Sequence, residues 1–73
     1  MNPFALGDLI RYRRLGSVAT YRTRGDRGDL VEVEAVDVPG VRAGLRFMFT
    51  RDAVAKMEGV SPEAQGRWPA TSS

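Results

Sequence analysis

The side chains that could carry chemistry in this sequence are arginines and carboxylates, because the chain contains no histidine and no cysteine. Those two residue types supply most of the groups that exchange protons or attack as nucleophiles near neutral pH. Ser17 has no histidine to act as its base, and Lys56 lies in a short helical stretch where solvation is the usual outcome. The sequence therefore predicts no catalytic residues and a protein that acts by binding.

Metal and redox sites are disfavoured on the same grounds. Without cysteine or histidine the chain lacks the usual zinc and iron–sulfur ligands, and it forms no disulfides. The spacing of its carboxylates does not match a calcium-binding loop. We expect no metal and no cofactor.

The densest charged cluster is basic and lies near the start of the chain, where Arg11, Arg13 and Arg14 surround Tyr12. Ten of the eleven basic residues are arginines. A GC-rich genome produces the same bias without any function, but arginine also binds phosphate and carboxylate groups through two parallel hydrogen bonds. The cluster is therefore the first candidate binding site.

On a strand, Arg11 and Arg13 would share one face. If Arg22 and Arg24 lie on the neighbouring strand, the four guanidinium groups form a patch that can contact phosphates, with Tyr12 or Tyr21 stacked on a base. The alternative is a solvated edge whose charges block aggregation. On the first interpretation the residues facing nucleic acid are Arg14, Arg22, Arg24 and Arg27.

An apolar segment precedes the first strand, with Pro3, Phe4, Ala5 and Leu6 in succession. Chain termini are usually frayed and polar, so an apolar one either packs on its own core or docks on a partner. Docking would make Phe4 and Leu6 the anchors, since buried aromatic and aliphatic residues commonly fill that role. The residues alone leave both alternatives open.

Two strands have clear patterns, at Leu30 to Asp37 and at Leu45 to Thr50. In each, apolar side chains alternate with polar or flexible ones, the period expected of a half-buried strand. Between them, Pro39-Gly40 has the residues preferred at the centre of a type II turn. Weaker patterns predict strands at Leu9 to Leu15 and Val18 to Thr23.

The Gly-containing stretch Arg24 to Asp29, which includes an Arg-Gly-Asp tripeptide, predicts an exposed hairpin loop. A short helix is predicted from Arg51 to Met57, with Thr50 as its N-cap, Gly59 at its end, and Ala53, Val54 and Met57 on its apolar face.

These elements predict a mostly β fold: a small antiparallel sheet or an SH3-like partial barrel of three to five short strands, with one short helix near residues 51–57. Residues 1–60 would form one domain, followed by a disordered tail at 61–73 that carries Trp68. The sequence shows no signal peptide and no apolar run of the roughly 20 residues that span a bilayer. We expect a monomer in the cytoplasm, with no membrane partner.

The apolar start Asn2-Pro3-Phe4-Ala5-Leu6, the basic stretch Arg11-Tyr12-Arg13-Arg14 and the length of 73 residues resemble the small RNA polymerase-binding transcription regulators of Xanthomonas bacteriophages. The resemblance spans the whole chain but includes no signature motif. It implies binding to bacterial RNA polymerase at the largest subunit near the RNA exit channel, inhibition of host promoter initiation, and antitermination in the host cytoplasm. The implied docking residues are Asn2, Phe4, Ala5, Leu6, Arg11 and Arg13, with the remaining arginines facing acidic polymerase surface or nascent RNA.

Two other classes of function fit the residues as well. One is a small module that binds RNA or DNA directly, and the other is a structural assembly protein of the small-barrel type. Neither can be separated from polymerase binding by composition or spacing.

Overall fold

The computed structural model describes residues 6–60, which form five strands and one helix. The docking candidates Asn2, Phe4 and Ala5 and the predicted disordered tail lie outside this range. The elements in chain order are β1 (Leu9–Arg14), β2 (Ser17–Arg27), β3 (Leu30–Asp37), β4 (Arg46–Thr50), α1 (Arg51–Ala55) and β5 (Glu58–Gly59). The strands form one open antiparallel sheet in the order β4-β3-β2-β1-β5. The mostly β prediction is confirmed, in its sheet form.

Strand β3 has the bounds expected from its alternating pattern. Val31, Val33 and Ala35 are buried on one face of the sheet, while Glu32 and Glu34 form ion pairs with arginines on the other. Successive side chains of a strand point to opposite faces, so this one strand contributes to both. Its neighbours β2 and β4 pair with it in antiparallel register.

The predicted loop between Arg24 and Asp29 is wrong, because β2 continues to Arg27 and only Gly28-Asp29 forms the turn. The ladder accommodates an irregularity between Thr23 and Gly25. A β-bulge absorbs one extra residue without ending the strand, so glycine here marks a bulge and not a loop. Strand β2 therefore stays paired with β3 from Gly25 to Arg27.

Two of the other short turns follow from their glycines. In the predicted type II turn, the Val41 amide donates to the Val38 carbonyl at 3.0 Å, and Gly40 has a φ of 75°. The turn between β1 and β2 contains Leu15 and Gly16, both with positive φ (49° and 82°). Two consecutive positive φ values are characteristic of a type I′ hairpin turn.

The helix begins as predicted, since the Thr50 hydroxyl accepts a hydrogen bond from the Ala53 amide at 3.2 Å. It ends earlier than predicted, with Lys56 as its C-cap. Gly59 does not terminate the helix; it pairs with Ile10 as part of β5. A two-residue strand is too short to show periodicity, so β5 has no detectable pattern in the sequence.

The core lies between α1 and one face of the sheet. Its buried side chains come from three strand positions and from the segment around the helix: Ile10, Val31, Val33, Val54 and Met57. Three aromatic rings pack against this cluster, with the Tyr21 ring edge-on to Phe49 at 5.1 Å between centroids. Ala53, expected on the apolar face of the helix, is exposed.

Polar contacts of Arg51, which we call the Arg51 latch, hold the start of the helix against the β2–β3 turn. The Arg51 side chain donates to the Gly28 carbonyl at 2.5 Å and also forms an ion pair with Asp26. The Arg51 amide donates to the Asp29 carbonyl at 2.8 Å. Because α1 has only five residues, it is too short to be stable by itself and depends on such contacts.

Replacing Arg51 with Met should therefore destabilise the domain by about 1 kcal/mol, after allowance for partial solvent exposure of the pair. The matched control is Arg42→Met, because Arg42 makes no ion pair within residues 6–60. Urea unfolding of both variants measures the difference. Equal stability of the two variants would show that the latch does not hold the helix.

Candidate protein-binding face

The face of the sheet opposite the helix is covered by charged side chains. We call this surface the arginine face. The strand register and the ion pairs assign to it the side chains of Arg11, Arg13, Arg22, Arg24, Arg27 and Arg46 together with those of Glu32, Glu34 and Glu58.

At one edge of the arginine face, β5 places Glu58 beside two arginines of β1. The Glu58 carboxylate lies 3.1 Å from Nη2 of Arg11 and 3.3 Å from Nε of Arg13. The pairing of Glu58 with Arg11 across the ladder brings these groups together. Nothing in the sequence indicates this contact, since the residues are separated by 47 positions.

In the middle of the face, Glu32 bridges two arginines from different strands. Its carboxylate oxygens accept from Arg46 at 2.6 Å and from Arg27 at 3.4 Å. Gly25 makes room for this arrangement, because a Cβ added there would lie 3.2 Å from Oε1 of Glu32. Glu34 accepts from Nε of Arg24 at 2.6 Å.

The arginine face keeps an excess of positive charge, with six arginines and three glutamates among its residues. Exposed ion pairs contribute little to folding stability, because water and salt screen them. Their main effect is to hold the guanidinium groups in defined positions. These groups remain accessible, as the paired arginines are 30–64% exposed. An ordered, accessible cationic surface suits a partner with carboxylates or phosphates.

The structure brings together four of the arginines named from the sequence: Arg11, Arg13, Arg22 and Arg24 share the arginine face, as the hypothesis required. Arg27 joins them. Arg14 does not, because it follows the alternation of Ile10 and Tyr12 and therefore lies on the other side of β1.

The sheet also separates the two contacts that the nucleic-acid hypothesis combines, a base stacked on a tyrosine and phosphates bound by the arginines. Tyr12 and Tyr21 lie on the helix side, where they line an open groove of about 390 Å³ with Phe49 and Lys56. Burial raises the pKa of the Tyr21 hydroxyl. A base stacked on either tyrosine would be separated by the sheet from the phosphate contacts proposed for the arginine face.

The start of the described chain is hydrogen-bonded to β2 beside the arginine face. The Gly7 amide donates to the Thr23 carbonyl at 2.8 Å, and the Thr23 amide donates to the Asp8 carbonyl at 2.9 Å. Arg22 donates from Nη1 to the Gly7 carbonyl at 3.2 Å. Leu6 precedes these contacts and its side chain is 61% exposed. The leucine is thus held near the arginines without joining the core.

Sequence reasoning did not identify the three glutamates as part of the arginine face. The alternation in β3 was sufficient to place Glu32 and Glu34 opposite the core, but their arginine partners depend on strand order. The alternation at Leu45 to Thr50 was sufficient to place Arg46 opposite the core, but its pairing with Glu32 could not be predicted. Glu58 had no signal, because β5 itself had none.

No group of three or more possible metal-ligating side chains comes together within residues 6–60. No helix in that range is long and apolar enough to cross a bilayer. Comparison with known proteins finds no matching family model, curated protein or solved structure.

The arginine partners lower the pKa of each glutamate on the face below its ordinary value of 4.5. A carboxyl whose pKa is lower in the folded state stabilises the fold above its unfolded pKa, and that contribution disappears as the pH falls through the folded pKa. The largest contributions are hydrogen bonds donated by Arg46 to Glu32, by Arg24 to Glu34 and by Arg13 to Glu58.

A Glu32→Gln, Glu34→Gln double variant should therefore lose less stability than wild type when the pH is lowered from about 5 to about 2. Chemical denaturation at a series of pH values measures both slopes. The control Asp37→Asn removes a carboxylate that lacks an arginine partner in the described chain, so it separates the loss of an ion pair from the loss of a negative charge. Parallel curves for the double variant and wild type would contradict the assigned ion pairs.

Proposed function

We propose that this protein is a small transcription regulator of the bacteriophage type that binds bacterial RNA polymerase. It inhibits initiation at host promoters and acts as an antiterminator, in the cytoplasm of the host and as a monomer. It acts by binding and not by catalysis. The resemblance of the N-terminal residues supports the choice of partner, and the surface around Leu6 supports the mode of binding.

The observation that carries the proposal is the position of Leu6. A leucine that packed on its own core would be buried, whereas this one is 61% exposed. The hydrogen bonds of Gly7 to Thr23 and Arg22 hold it at the border of the arginine face. An exposed aliphatic side chain next to ordered cationic groups favours docking over core packing for this segment.

The arginine face suits an acidic protein surface. Its excess positive charge would accelerate encounter with a negatively charged partner and orient the domain on it. Because the glutamates already hold the guanidinium groups in place, less side-chain freedom is lost when the complex forms. Arg11 and Arg13 lie on β1, immediately after the anchored segment, so both kinds of contact can reach the same partner.

A domain of this size can regulate transcription by occupying a polymerase surface. When it binds near the RNA exit channel, it excludes other contacts at that position, which accounts for inhibition of initiation. In this proposal, arginines of the same face that do not contact the polymerase bind phosphates of the emerging RNA. Antitermination then follows from binding alone and requires no catalytic group.

Direct binding to nucleic acid is the weaker alternative. Five of the six arginines on the face are already paired with glutamates, so the face carries both charges and offers no continuous cationic track for a phosphate backbone. The tyrosines that would stack on bases lie on the opposite face. A dedicated single-strand binder places its aromatic platforms inside the cationic groove.

Replacing both Phe4 and Leu6 with Ala should weaken binding to purified RNA polymerase at least about tenfold, because buried anchors contribute most of the energy of an interface. Thermal unfolding should be unchanged, since Leu6 is exposed. The control Leu45→Ala removes another half-exposed leucine, which precedes β4 at the opposite edge of the sheet from β1 and β5, and should bind as wild type does. Unfolding of the double variant would show that the segment belongs to the core.

The salt dependence of binding separates the two classes of partner. Affinity for polymerase should fall moderately between 50 and 200 mM salt, by less than the roughly thousandfold loss seen when many phosphates are contacted. Single-stranded RNA alone should bind far more weakly than polymerase at low salt. Tight RNA binding with a steep salt slope would favour the nucleic-acid-binding module instead.

A further inference from the structure

The turn between β1 and β2 exposes the side chain of Leu15, which does not pack in the core. We call Arg13, Arg14, Leu15, Gly16 and Val18 the hairpin tip. The Leu15 side chain is 96% exposed, and Val18 nearby is 41% exposed. A shallow depression of about 310 Å³ lies among the residues of this tip. Because Leu15 contacts no core residue, it contributes nothing to packing in the free protein.

The backbone at Leu15 is also unfavourable for leucine. Its φ of 49° is the only positive value at a non-glycine residue within the described part of the chain. The first central position of a type I′ turn strongly favours asparagine, aspartate or glycine. Glycine has no Cβ to approach the following carbonyl oxygen, and the short polar side chains of asparagine and aspartate form local hydrogen bonds that leucine cannot make. Leucine at this position therefore costs stability through its backbone conformation, and its exposed side chain contributes no packing energy in return. Strain kept at an exposed position points to a role in binding.

The charge around Leu15 indicates the kind of surface that would receive it. Arg14 has no ion-pair partner within residues 6–60, and Arg13 shares Glu58 with Arg11. The hairpin tip is thus an aliphatic side chain bordered by excess positive charge. Its complement is an apolar pocket with a rim of carboxylates, which belongs to a protein surface and not to a nucleic acid.

We propose that Leu15 is a second anchor, which inserts into an apolar, acid-rimmed pocket of the partner protein. The inference rests on the proposed function, because the partner tested is RNA polymerase. Leu6 and Leu15 lie beyond opposite ends of β1, at most about 30 Å apart for an extended strand. Arg11 and Arg13 lie between them on the arginine face. Two apolar anchors joined by a cationic strand define the orientation of the domain on its partner.

Leu15→Asn tests this inference sharply, because the two expected effects have opposite signs. Asn-Gly is the preferred sequence for a type I′ turn, so the variant should unfold at a temperature a few degrees higher than wild type. Its affinity for purified bacterial RNA polymerase should nevertheless fall at least about tenfold. Loss of binding in a more stable protein cannot come from misfolding.

Two further variants serve as controls for this measurement. Leu15→Met keeps a flexible apolar side chain and should retain affinity within about threefold. Leu45→Asn introduces the same change at another exposed leucine and should leave affinity unchanged.

Arg14→Glu should reduce the association rate several-fold at low salt, since it reverses the charge facing the acidic rim.

The outcomes distinguish the inference from the proposed function. If wild type and Leu15→Asn bind polymerase equally, the hairpin tip is not an anchor, while polymerase binding stands. If wild type does not bind polymerase, the proposed function fails and this inference fails with it. If Leu15→Asn weakens binding to single-stranded RNA and not to polymerase, the occupant of the tip is nucleic acid and the protein pocket is refuted.

Discussion

The register of strand β3 is the constraint on which both faces of this protein depend. Its valines fill the core, and its glutamates organise the arginines on the opposite side. A shift of one residue in its pairing would bring Glu32 and Glu34 into the core and expose Val31 and Val33. Burial of charge in so small a core would be prohibitive, so the register is strongly specified.

The two faces have different physical roles. On the helix side, buried aliphatic groups and partly buried aromatic rings supply the stability of this domain, which is too small to have a large stability margin. On the other side, ion pairs supply little stability but define where each guanidinium group lies. The Arg51 latch connects these roles, since a polar contact at the β2–β3 turn holds the helix that covers the core.

The proposed binding surfaces lie along β1. Of its six residues only Ile10 is fully buried, which leaves its arginines free to serve a partner. The anchored segment before β1 and the hairpin tip after it extend this surface at both ends. A small domain without catalytic groups thereby gains an elongated contact area while its core remains on the far face of the sheet.

The sequence by itself determined the local elements of this protein. The alternation of side chains defined β3, and Pro39-Gly40 predicted the turn that follows this strand. Thr50 predicted the start of the helix. Each of these features depends only on residues that are neighbours in the chain. Only the tertiary structure decided that Glu58 meets Arg11, that β2 continues beyond Gly25, and that Glu32 accepts hydrogen bonds from both Arg27 and Arg46. Those features depend on strand order and bulges, which bring together residues distant in the chain and leave no periodic pattern in the sequence.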